Sequence, residues 1–315
     1  MKITVLDIDS IGRDINLSPI TSICECEVFP ATSAEEVVSR LADTDVAVLN
    51  KIKMTKDVLE RTHKLKLICV AATGFDNIDT EYCRQHGIAV ANVPAYSTHS
   101  VAAVTVATVL NLLTHLKEYS SFVSDGGYTA SGASNKLSPA FHDLYGKTWG
   151  IIGYGNIGKK VAEVAGAFGC KVIYNKNTPS DDTACVDLDT LCRESDIITI
   201  HCPLNDSTRN LINSCRLSLM KENVILVNSA RGAVCDEKAV AEWVKKGNMG
   251  GFGCDVYSAE PFPESHPFYD IKDMPSVCLT PHIAWASYEA RTKVVYEMAE
   301  NIKAFINNEK RNRVD

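Results

Sequence analysis

Short apolar runs rich in β-branched residues alternate with helical patterns along this chain, and that alternation restricts the possible folds more than any other feature. Four such runs occur in the first hundred residues, namely KITVLDI, VAVLN, LKLICVA and IAVANV. Strands that are apolar on both faces and separated by helices predict a parallel sheet covered on both sides. The alternation restarts after Gly146, with TWGIIGYG and CKVIYN. We therefore predict an α/β chain with two doubly wound parallel sheets.

Composition and charge disfavour several classes of function. The 315 residues are 45% hydrophobic and carry a formal net charge of −7, with no basic stripe. Such an acidic chain disfavours nucleic acids and anionic membranes as partners. The N-terminus lacks the apolar region of a signal peptide, and the longest apolar stretch, VAAVTVATVLNLLTHL, predicts a buried helix. The 12 cysteines have no zinc-site spacing, so we expect free thiols in a reducing cytoplasm and no metal.

A glycine-rich motif follows the first apolar run of the second half. GIIGYGNIG places Gly153, Gly155 and Gly158 after a predicted strand and at the start of a predicted helix. The first glycine permits a tight turn, the second lets backbone approach a pyrophosphate, and the third lets helix pack on strand. The N-terminus of the helix offers N–H groups to the phosphates. The motif predicts a dinucleotide-binding site.

The end of the next predicted strand bears on the choice between NAD and NADP. An acid is expected there to bind the ribose 2′-hydroxyl of NAD. The sequence has Asn175 and then Lys176, which removes the repulsion between an acid and a 2′-phosphate. Either Asn175 binds the ribose of NAD(H) by itself, or NADP(H) is accepted, and both alternatives stay open.

Three polar residues follow the ends of three later predicted strands. Arg231 comes after ILVNSA, Glu260 after GGFGCDV, and His282 after SVCLTP. Ligands gather at the carboxyl ends of parallel strands, and arginine binds a carboxylate through two parallel hydrogen bonds. Together with the glycine loop, these residues predict a catalytic site for a carboxylate substrate. The segment FPESHPF is typical of a surface loop, and we assign His266 no role.

The motifs GYGNIG, NSARG, DVYSAEP and TPHIAW, in this order, resemble those of the D-isomer-specific 2-hydroxyacid dehydrogenases. The resemblance covers nearly the whole chain, since ATGFDNIDTEYCRQHGIAVANVPAYSTHSVA is similar to the family's substrate-binding and hinge region. VLNK, YST and HIAW look most like the branch of glycerate dehydrogenase and hydroxypyruvate or glyoxylate reductase.

The resemblance implies specific roles for the catalytic candidates. Arg231 would bind the substrate carboxylate, and His282 would be the general acid in reduction and the base in oxidation. Glu260 would hold the imidazole and favour its protonated form. The backbone around Thr73 and Gly74 would also bind the carboxylate, and two further residues would line the pocket, Lys51 and Trp285.

The resemblance also implies a set of cofactor contacts. Beside the three glycines, Arg231 and His282, the expected residues are Tyr154, Asn156, Ile157, Asn175, Lys176, Cys202, Pro203, Thr208, Ser229, Ala230 and Asp255. The last three would face the nicotinamide end.

The resemblance further implies a Rossmann cofactor domain, residues 99–287, inserted in a flavodoxin-like substrate domain, residues 1–98 and 288–315, with the active site between them. It implies a homodimer formed through the helix near residues 101–119; the alternative is a helix buried within one chain. The expected enzyme reduces hydroxypyruvate, glyoxylate or a similar 2-oxo acid with NADH or NADPH. The alternative function is a dinucleotide-sensing regulator that resembles the C-terminal-binding corepressors.

Overall fold

A computed structural model describes residues 1–178 and 180–315 of the chain. It divides into two compact units, the first formed by Met1–Ser97 and Trp285–Asp315 and the second by Thr98–Ala284. Strands and helices are numbered below in chain order.

A five-stranded parallel sheet forms the centre of the first unit. Its strands are β1 (Lys2–Val5), β2 (Glu25–Val28), β3 (Val46–Leu49), β4 (Leu67–Val70) and β5 (Ala89–Ala91). They lie in the order β2-β1-β3-β4-β5, which is the flavodoxin-like order. Strands β3 and β4 are buried at every residue, because both faces of the sheet are covered.

Helices cover this first sheet on both faces. Those along its chain are α1 (Ser18–Thr21), α2 (Val37–Leu41), α3 (Lys56–Leu59) and α4 (Thr80–Gln85), and the last helix of the protein, α12 (Tyr288–Ile306), joins them. The apolar stripe of α12 is buried in the core beside β1 and β4, with Val294, Met298 and Ile302 each at 0% exposure. The returning helix therefore completes the first unit.

A six-stranded parallel sheet forms the centre of the second unit. Its strands are β6 (Thr148–Ile152), β7 (Lys171–Asn175), β8 (Ile197–Ile200), β9 (Ile225–Asn228), β10 (Gly251–Cys254) and β11 (Val277–Leu279). They lie in the order β11-β10-β9-β8-β6-β7. The chain first moves outward from β6 to β7 and then returns to β8, so the order reverses beside β6. Ligands of doubly wound sheets bind at such a point.

The helices of the second unit are α5 (Thr98–Thr114), α6 (Leu116–Ser124), α7 (Gly127–Ser131), α8 (Asn156–Ala167), α9 (Leu188–Glu194), α10 (Ser214–Leu217) and α11 (Glu237–Lys245). One side of α5 is buried against its own sheet, including Val109 and Leu112. No single helix among the described residues has the length and apolarity to cross a membrane; the pair α5 and α6 meets that test of length and composition together, with a 67° bend. These two sheets confirm the predicted α/β fold with two doubly wound parallel sheets.

Candidate active site

Three neighbouring strands of the second unit bring the predicted catalytic residues to one edge of the sheet. Strand β10 pairs with β9 on one side and with β11 on the other, and Cys254 lies level with both Asn228 and Leu279. Arg231, Glu260 and His282 follow the carboxyl ends of β9, β10 and β11. Strands that are far apart in sequence therefore end side by side.

The turn that carries Arg231 is held by a buried asparagine. The Asn228 side chain, at 0% exposure, accepts a hydrogen bond from Ala230 N at 3.0 Å and donates one to Arg231 O at 2.9 Å. The guanidinium also donates to Ala230 O at 2.8 Å. Asn228 was not assigned a role from the sequence, although an amide at a buried strand end was a signal that could have identified it.

Backbone contact joins the Arg231 turn to the segment that leads to Glu260. A Cβ atom added at Gly232 would lie 2.1 Å from Tyr257 C and 2.3 Å from Ser258 N, so only glycine fits there. The Tyr257 hydroxyl in turn donates to Thr280 O at 2.8 Å, and burial raises its pKa. The loops after β9, β10 and β11 are thus packed against one another.

Glu260 and His282 form a carboxylate–imidazole pair. Glu260 Oε2 lies 2.6 Å from His282 Nδ1, and Glu260 Oε1 accepts a hydrogen bond from Tyr257 N at 3.0 Å. The two side chains are 29% and 25% exposed. Because Nδ1–H points to the carboxylate, Nε2 is the ring nitrogen that gives or takes a proton.

Asp255 holds the loop that carries His282. Its carboxylate is 4% exposed and accepts hydrogen bonds from Thr280 Oγ1 at 2.6 Å, Ile283 N at 2.9 Å and Ala284 N at 2.8 Å. His282 itself has φ +53°, in the left-handed region that non-glycine residues rarely adopt. The resemblance implies that Asp255 faces the nicotinamide, and this stays a prediction; the structure shows its hydrogen bonds to the His282 loop.

The glycine loop has the shape that a pyrophosphate requires. Gly153 has φ +93°, and a Cβ atom there would lie 2.5 Å from Cys202 N, at the end of β8. A Cβ atom on Gly158 would meet Gly153 O at 2.2 Å, whereas one on Gly155 would point into open space. Gly155 is the N-cap of α8, so the first N–H groups of the helix lie beside that space. The residues present therefore fit a dinucleotide, and Asn156 and Ile157 open the helix.

Asn175 stands at the end of β7, next to the glycine loop. Its backbone oxygen accepts a hydrogen bond from Gly153 N at 2.9 Å, and its side-chain Nδ2 donates to Val186 O at 2.9 Å. The rings of Tyr154 and Tyr174 stack at 3.7 Å between centroids, and Lys176 Nζ lies 5.8 Å from the Tyr174 ring. These residues form the end of the site where a ribose 2′-substituent is expected.

The segment after β8 carries the remaining cofactor candidates. Cys202 touches the glycine loop as described, and Pro203 is exposed. The Thr208 side chain is engaged inside the segment, because its Oγ1 donates to Pro203 O at 2.7 Å and accepts from Asn205 N at 2.8 Å. These two hydrogen bonds hold the segment after β8 in its conformation, and a contact between Thr208 and the cofactor stays a prediction.

His201 is a residue of the site that the sequence analysis missed. Its Nδ1 lies 3.3 Å from Ser229 Oγ, which lies 2.9 Å from Thr105 Oγ1. Its Nε2 is buried without a hydrogen-bond partner among the described residues. Burial lowers the pKa of the imidazole to about 3. His201 therefore stays neutral near pH 7 and is no competitor of His282 for the role of general acid.

The other substrate candidates lie in the first unit, three of them beside neighbouring strands. Lys51 follows β3, and its N–H donates at 2.7 Å to the buried carboxylate of Asp7, whose pKa burial raises. Thr73 and Gly74 follow β4, and Thr73 O accepts a hydrogen bond from Asn92 Nδ2 at 2.7 Å. Trp285 packs edge-on against Tyr96, with 6.1 Å between ring centroids.

Known proteins match this chain over nearly its whole length. Residues 106–284 match the family model described as D-isomer specific 2-hydroxyacid dehydrogenase, NAD binding domain. The chain is 36% identical over 315 residues to glycerate dehydrogenase of Methylorubrum extorquens, covering 100% of this chain and 99% of the relative. It is 38% identical over 272 residues to hydroxypyruvate reductase of Thermotoga maritima, covering 85% of this chain and 87% of the relative.

A solved structure shows the same fold over the whole chain. An acyclic imino acid reductase in complex with NADPH and D-Arg superposes with a TM-score of 0.88 at 31% identity, and the match covers 100% of both chains. These findings confirm the resemblance seen in the motifs, and with it a nicotinamide dinucleotide as cofactor. The chain therefore belongs to the D-isomer-specific 2-hydroxyacid dehydrogenases, NAD(P)-dependent oxidoreductases.

Proposed function

We propose that this enzyme reduces a small 2-oxo acid, hydroxypyruvate or glyoxylate, to the corresponding hydroxy acid, with the D configuration where the product is chiral. The observation that carries the proposal is the Glu260–His282 pair, 2.6 Å apart, at the edge of the sheet that also presents Arg231. The relatives named for glycerate and hydroxypyruvate support this size of substrate.

Arg231 binds the substrate in this proposal. Its guanidinium forms two parallel hydrogen bonds with the carboxylate, which fixes the plane of the 2-oxo acid. Arg231 also lends positive charge to the adjacent carbonyl oxygen, on which negative charge develops during reduction. The roles of Thr73, Gly74, Lys51 and Trp285 in substrate binding stay predictions from the resemblance.

His282 and Glu260 handle the proton. In reduction, His282 Nε2–H donates its proton to the carbonyl oxygen as the C–O π bond breaks and the C–H bond forms. The imidazolium becomes neutral, and Glu260 stabilises the charged form at the start of each turnover. In oxidation the neutral Nε2 removes the proton from the hydroxyl. When bound, the reduced nicotinamide supplies the hydride that the carbonyl carbon accepts.

The residues that hold the dinucleotide extend along the carboxyl edge of the second sheet. Gly153–Gly158 and the start of α8 bind the pyrophosphate. Cys202, Pro203 and Thr208 lie along the cofactor, and Ser229, Ala230 and Asp255 lie toward the nicotinamide, beside Arg231 and His282.

Asn175 and Lys176 support the use of both cofactors. Since Asn175 Nδ2 donates to Val186 O, its Oδ1 is the atom suited to accept the 2′-hydroxyl of NADH. Lys176 supplies positive charge for the 2′-phosphate of NADPH, and the strand itself ends in the uncharged Asn175.

We further propose a cytoplasmic homodimer. The 12 cysteines are free thiols, which suits a reducing compartment. The expected dimer helix, residues 101–119, is partly buried in its own unit, whereas large apolar side chains are exposed near its end and beyond it: Leu116 at 61%, Val123 at 58%, Leu137 at 79%, Phe141 at 54% and Tyr145 at 82%. Exposed apolar residues in one segment are typical of a subunit interface. Analytical ultracentrifugation that finds only monomers at micromolar concentration would contradict this.

A substrate panel tests the proposed reaction. Hydroxypyruvate, glyoxylate, pyruvate and larger 2-oxo acids are assayed with NADH and with NADPH, each with and without ammonium to detect reduction of imino acids. We expect turnover of the smallest 2-oxo acids without ammonium, and His282→Ala should lower kcat by about 10²- to 10⁴-fold. Replacement of the exposed His63 by alanine is the matched control. Tight binding of both dinucleotides without reduction of any acid would favour the regulator instead.

A further inference from the structure

A second carboxylate–imidazole pair lies in the same unit as Glu260 and His282. Glu237 Oε2 is 2.9 Å from His266 Nε2, and the two side chains are only 10% and 5% exposed. Burial of a charged carboxylate is costly, so its hydrogen bonds must compensate. A pair buried this deeply, with no role in the reaction itself, requires an explanation.

The His266 ring is fixed in one tautomer. Phe268 N donates to its Nδ1 at 3.2 Å, so Nε2 carries the hydrogen and donates to Glu237. The ring packs between Phe262 and Phe268, each with 5.0 Å between ring centroids. The expectation that FPESHPF is only a surface loop is therefore wrong for His266, which is buried and bonded to Glu237.

Glu237 also binds the loop that carries Glu260. It is the first residue of α11, where the helix N-terminus favours a carboxylate. Its Oε1 accepts a hydrogen bond from Ser258 N at 2.8 Å, and its Oε2 accepts one from Ser258 Oγ. One buried carboxylate thus fixes both the backbone and the side chain of Ser258.

Two consecutive N–H groups of this loop bind the two carboxylates. Tyr257 N donates to Glu260, and Ser258 N donates to Glu237. The peptide between Tyr257 and Ser258 is also the one that Gly232 touches, next to Arg231. Tyr257 N belongs to the preceding peptide unit, so the two peptide units that adjoin at Tyr257 together contact Glu260, Glu237 and the Gly232 backbone beside Arg231.

We infer that Glu237 and His266 are positioning residues, which fix the Tyr257–Ser258 peptide and thereby hold Glu260 in the geometry that orients His282. The inference rests on the proposed function, since it concerns the acid–base role of Glu260. Glu260 is partly exposed, and the hydrogen bond from Tyr257 N ties its carboxylate to this loop. A displacement of about 1 Å in such a group lowers turnover by about 100-fold.

The primary test is Glu237→Gln. The amide keeps an acceptor for Ser258 N, but its NH₂ group then faces the donor His266 Nε2–H, and Ser258 Oγ must turn from donor to acceptor. We expect kcat to fall by about 10- to 100-fold while the Kd for NADH, followed by fluorescence, stays within twofold. Glu264→Gln, an exposed glutamate in the same stretch of chain, is the matched control and should retain the wild-type kcat.

A double-mutant cycle with Glu260→Gln separates positioning from general structural damage. If Glu237 acts through Glu260, the double variant is no slower than Glu260→Gln alone, within twofold. Losses that multiply, or a Glu237→Gln enzyme within twofold of wild type, would overturn the inference. If Glu237→Gln does not fold, His266→Leu takes its place in the same cycle, because it removes the donor to Glu237 and keeps apolar bulk.

The cycle also distinguishes this inference from the proposed function. Glu260→Gln at the wild-type rate overturns the role of Glu260 in proton transfer, and the positioning role with it. Slow turnover by Glu260→Gln beside fast turnover by Glu237→Gln and His266→Leu overturns the positioning role alone.

Discussion

Replacement of Asp255 by asparagine is the change whose effect the structure specifies most closely. The Asp255 carboxylate accepts three hydrogen bonds from the loop of His282, two on Oδ1 from Thr280 Oγ1 and Ile283 N, and one on Oδ2 from Ala284 N. An asparagine of the same shape has one oxygen and one NH₂ group. The best orientation keeps the first two bonds and sets the NH₂ against the Ala284 N–H.

The expected cost follows from these contacts. Ala284 is 2% exposed, so its N–H cannot bind water instead. Leaving it unpaired costs about 1–3 kcal/mol of stability. The two bonds that remain change from charge-assisted to neutral, which weakens each by about half. Together these losses should lower the free energy of local loop opening by about 3 kcal/mol. Turnover should also fall, by about 100-fold, because the left-handed conformation of His282 relaxes once the loop is released.

Native-state hydrogen exchange and steady-state kinetics measure the two effects. About 3 kcal/mol corresponds to exchange of the Ile283 and Ala284 amides that is roughly 150-fold faster. Asp196→Asn is the matched control: that carboxylate binds Thr148 N and Lys221 at the opposite, amino end of the sheet, so kcat should not change. Unchanged amide exchange in Asp255→Asn, or a kcat within twofold of wild type, would refute the reasoning.

Four further changes test other parts of the site. Arg231→Ala should lower kcat/KM for 2-oxo acids by about 100-fold with little effect on the Kd for NADH, since a charge-assisted bidentate bond is worth about 3 kcal/mol. An unaffected kcat/KM would show that another residue binds the carboxylate. Asn175→Asp should lower kcat/KM with NADPH relative to NADH by at least tenfold, and an unchanged ratio would remove this strand end from cofactor choice. Gly153→Ala should abolish binding of both dinucleotides in a fluorescence titration, because its Cβ would lie 2.5 Å from Cys202 N at φ +93°, and retained binding would contradict the assigned loop. His201 binds a proton in the unfolded chain near pH 6.5 but in the folded chain only near pH 3, so its contribution to stability is present above pH 6.5 and is lost as the pH falls. The free energy of unfolding in urea should therefore drop by about 2 kcal/mol between pH 6.5 and pH 5, and this drop should be missing in His201→Gln.

The sequence predicted those features that depend on local pattern. The run before Gly153 and the helix after it predict a strand, a turn and a helix, and the structure confirms the two parallel sheets to which these elements belong. Family membership, and with it the nicotinamide cofactor, was also predicted correctly, because four motifs occur in a fixed order. The roles of Arg231, Glu260 and His282 remain predictions, although their strands do end side by side.

The sequence did not predict features that depend on contacts between distant residues. His201 and the pair of Glu237 with His266 each act through partners that only the folded chain brings near, whereas Asn228, also missed, binds its close neighbours Ala230 and Arg231. The polar and proline-rich surroundings of His266 favoured a surface loop, because periodicity says nothing about one side chain that turns inward among aromatic rings. Asp255 illustrates a different difficulty, since its backbone contacts with Ile283 and Ala284 leave no trace in the residue types.

The order of the strands in the second sheet separates the residues expected to select the dinucleotide from those expected to transfer the proton. Asn175 ends one outer strand and His282 follows the other, five strand spacings of about 4.8 Å away, or roughly 24 Å. That separation is more than twice the distance over which physiological salt screens a surface charge. A substitution that alters the preferred dinucleotide therefore has little electrostatic effect on Glu260 and His282. Cofactor preference and proton transfer can thus evolve, or be engineered, one at a time.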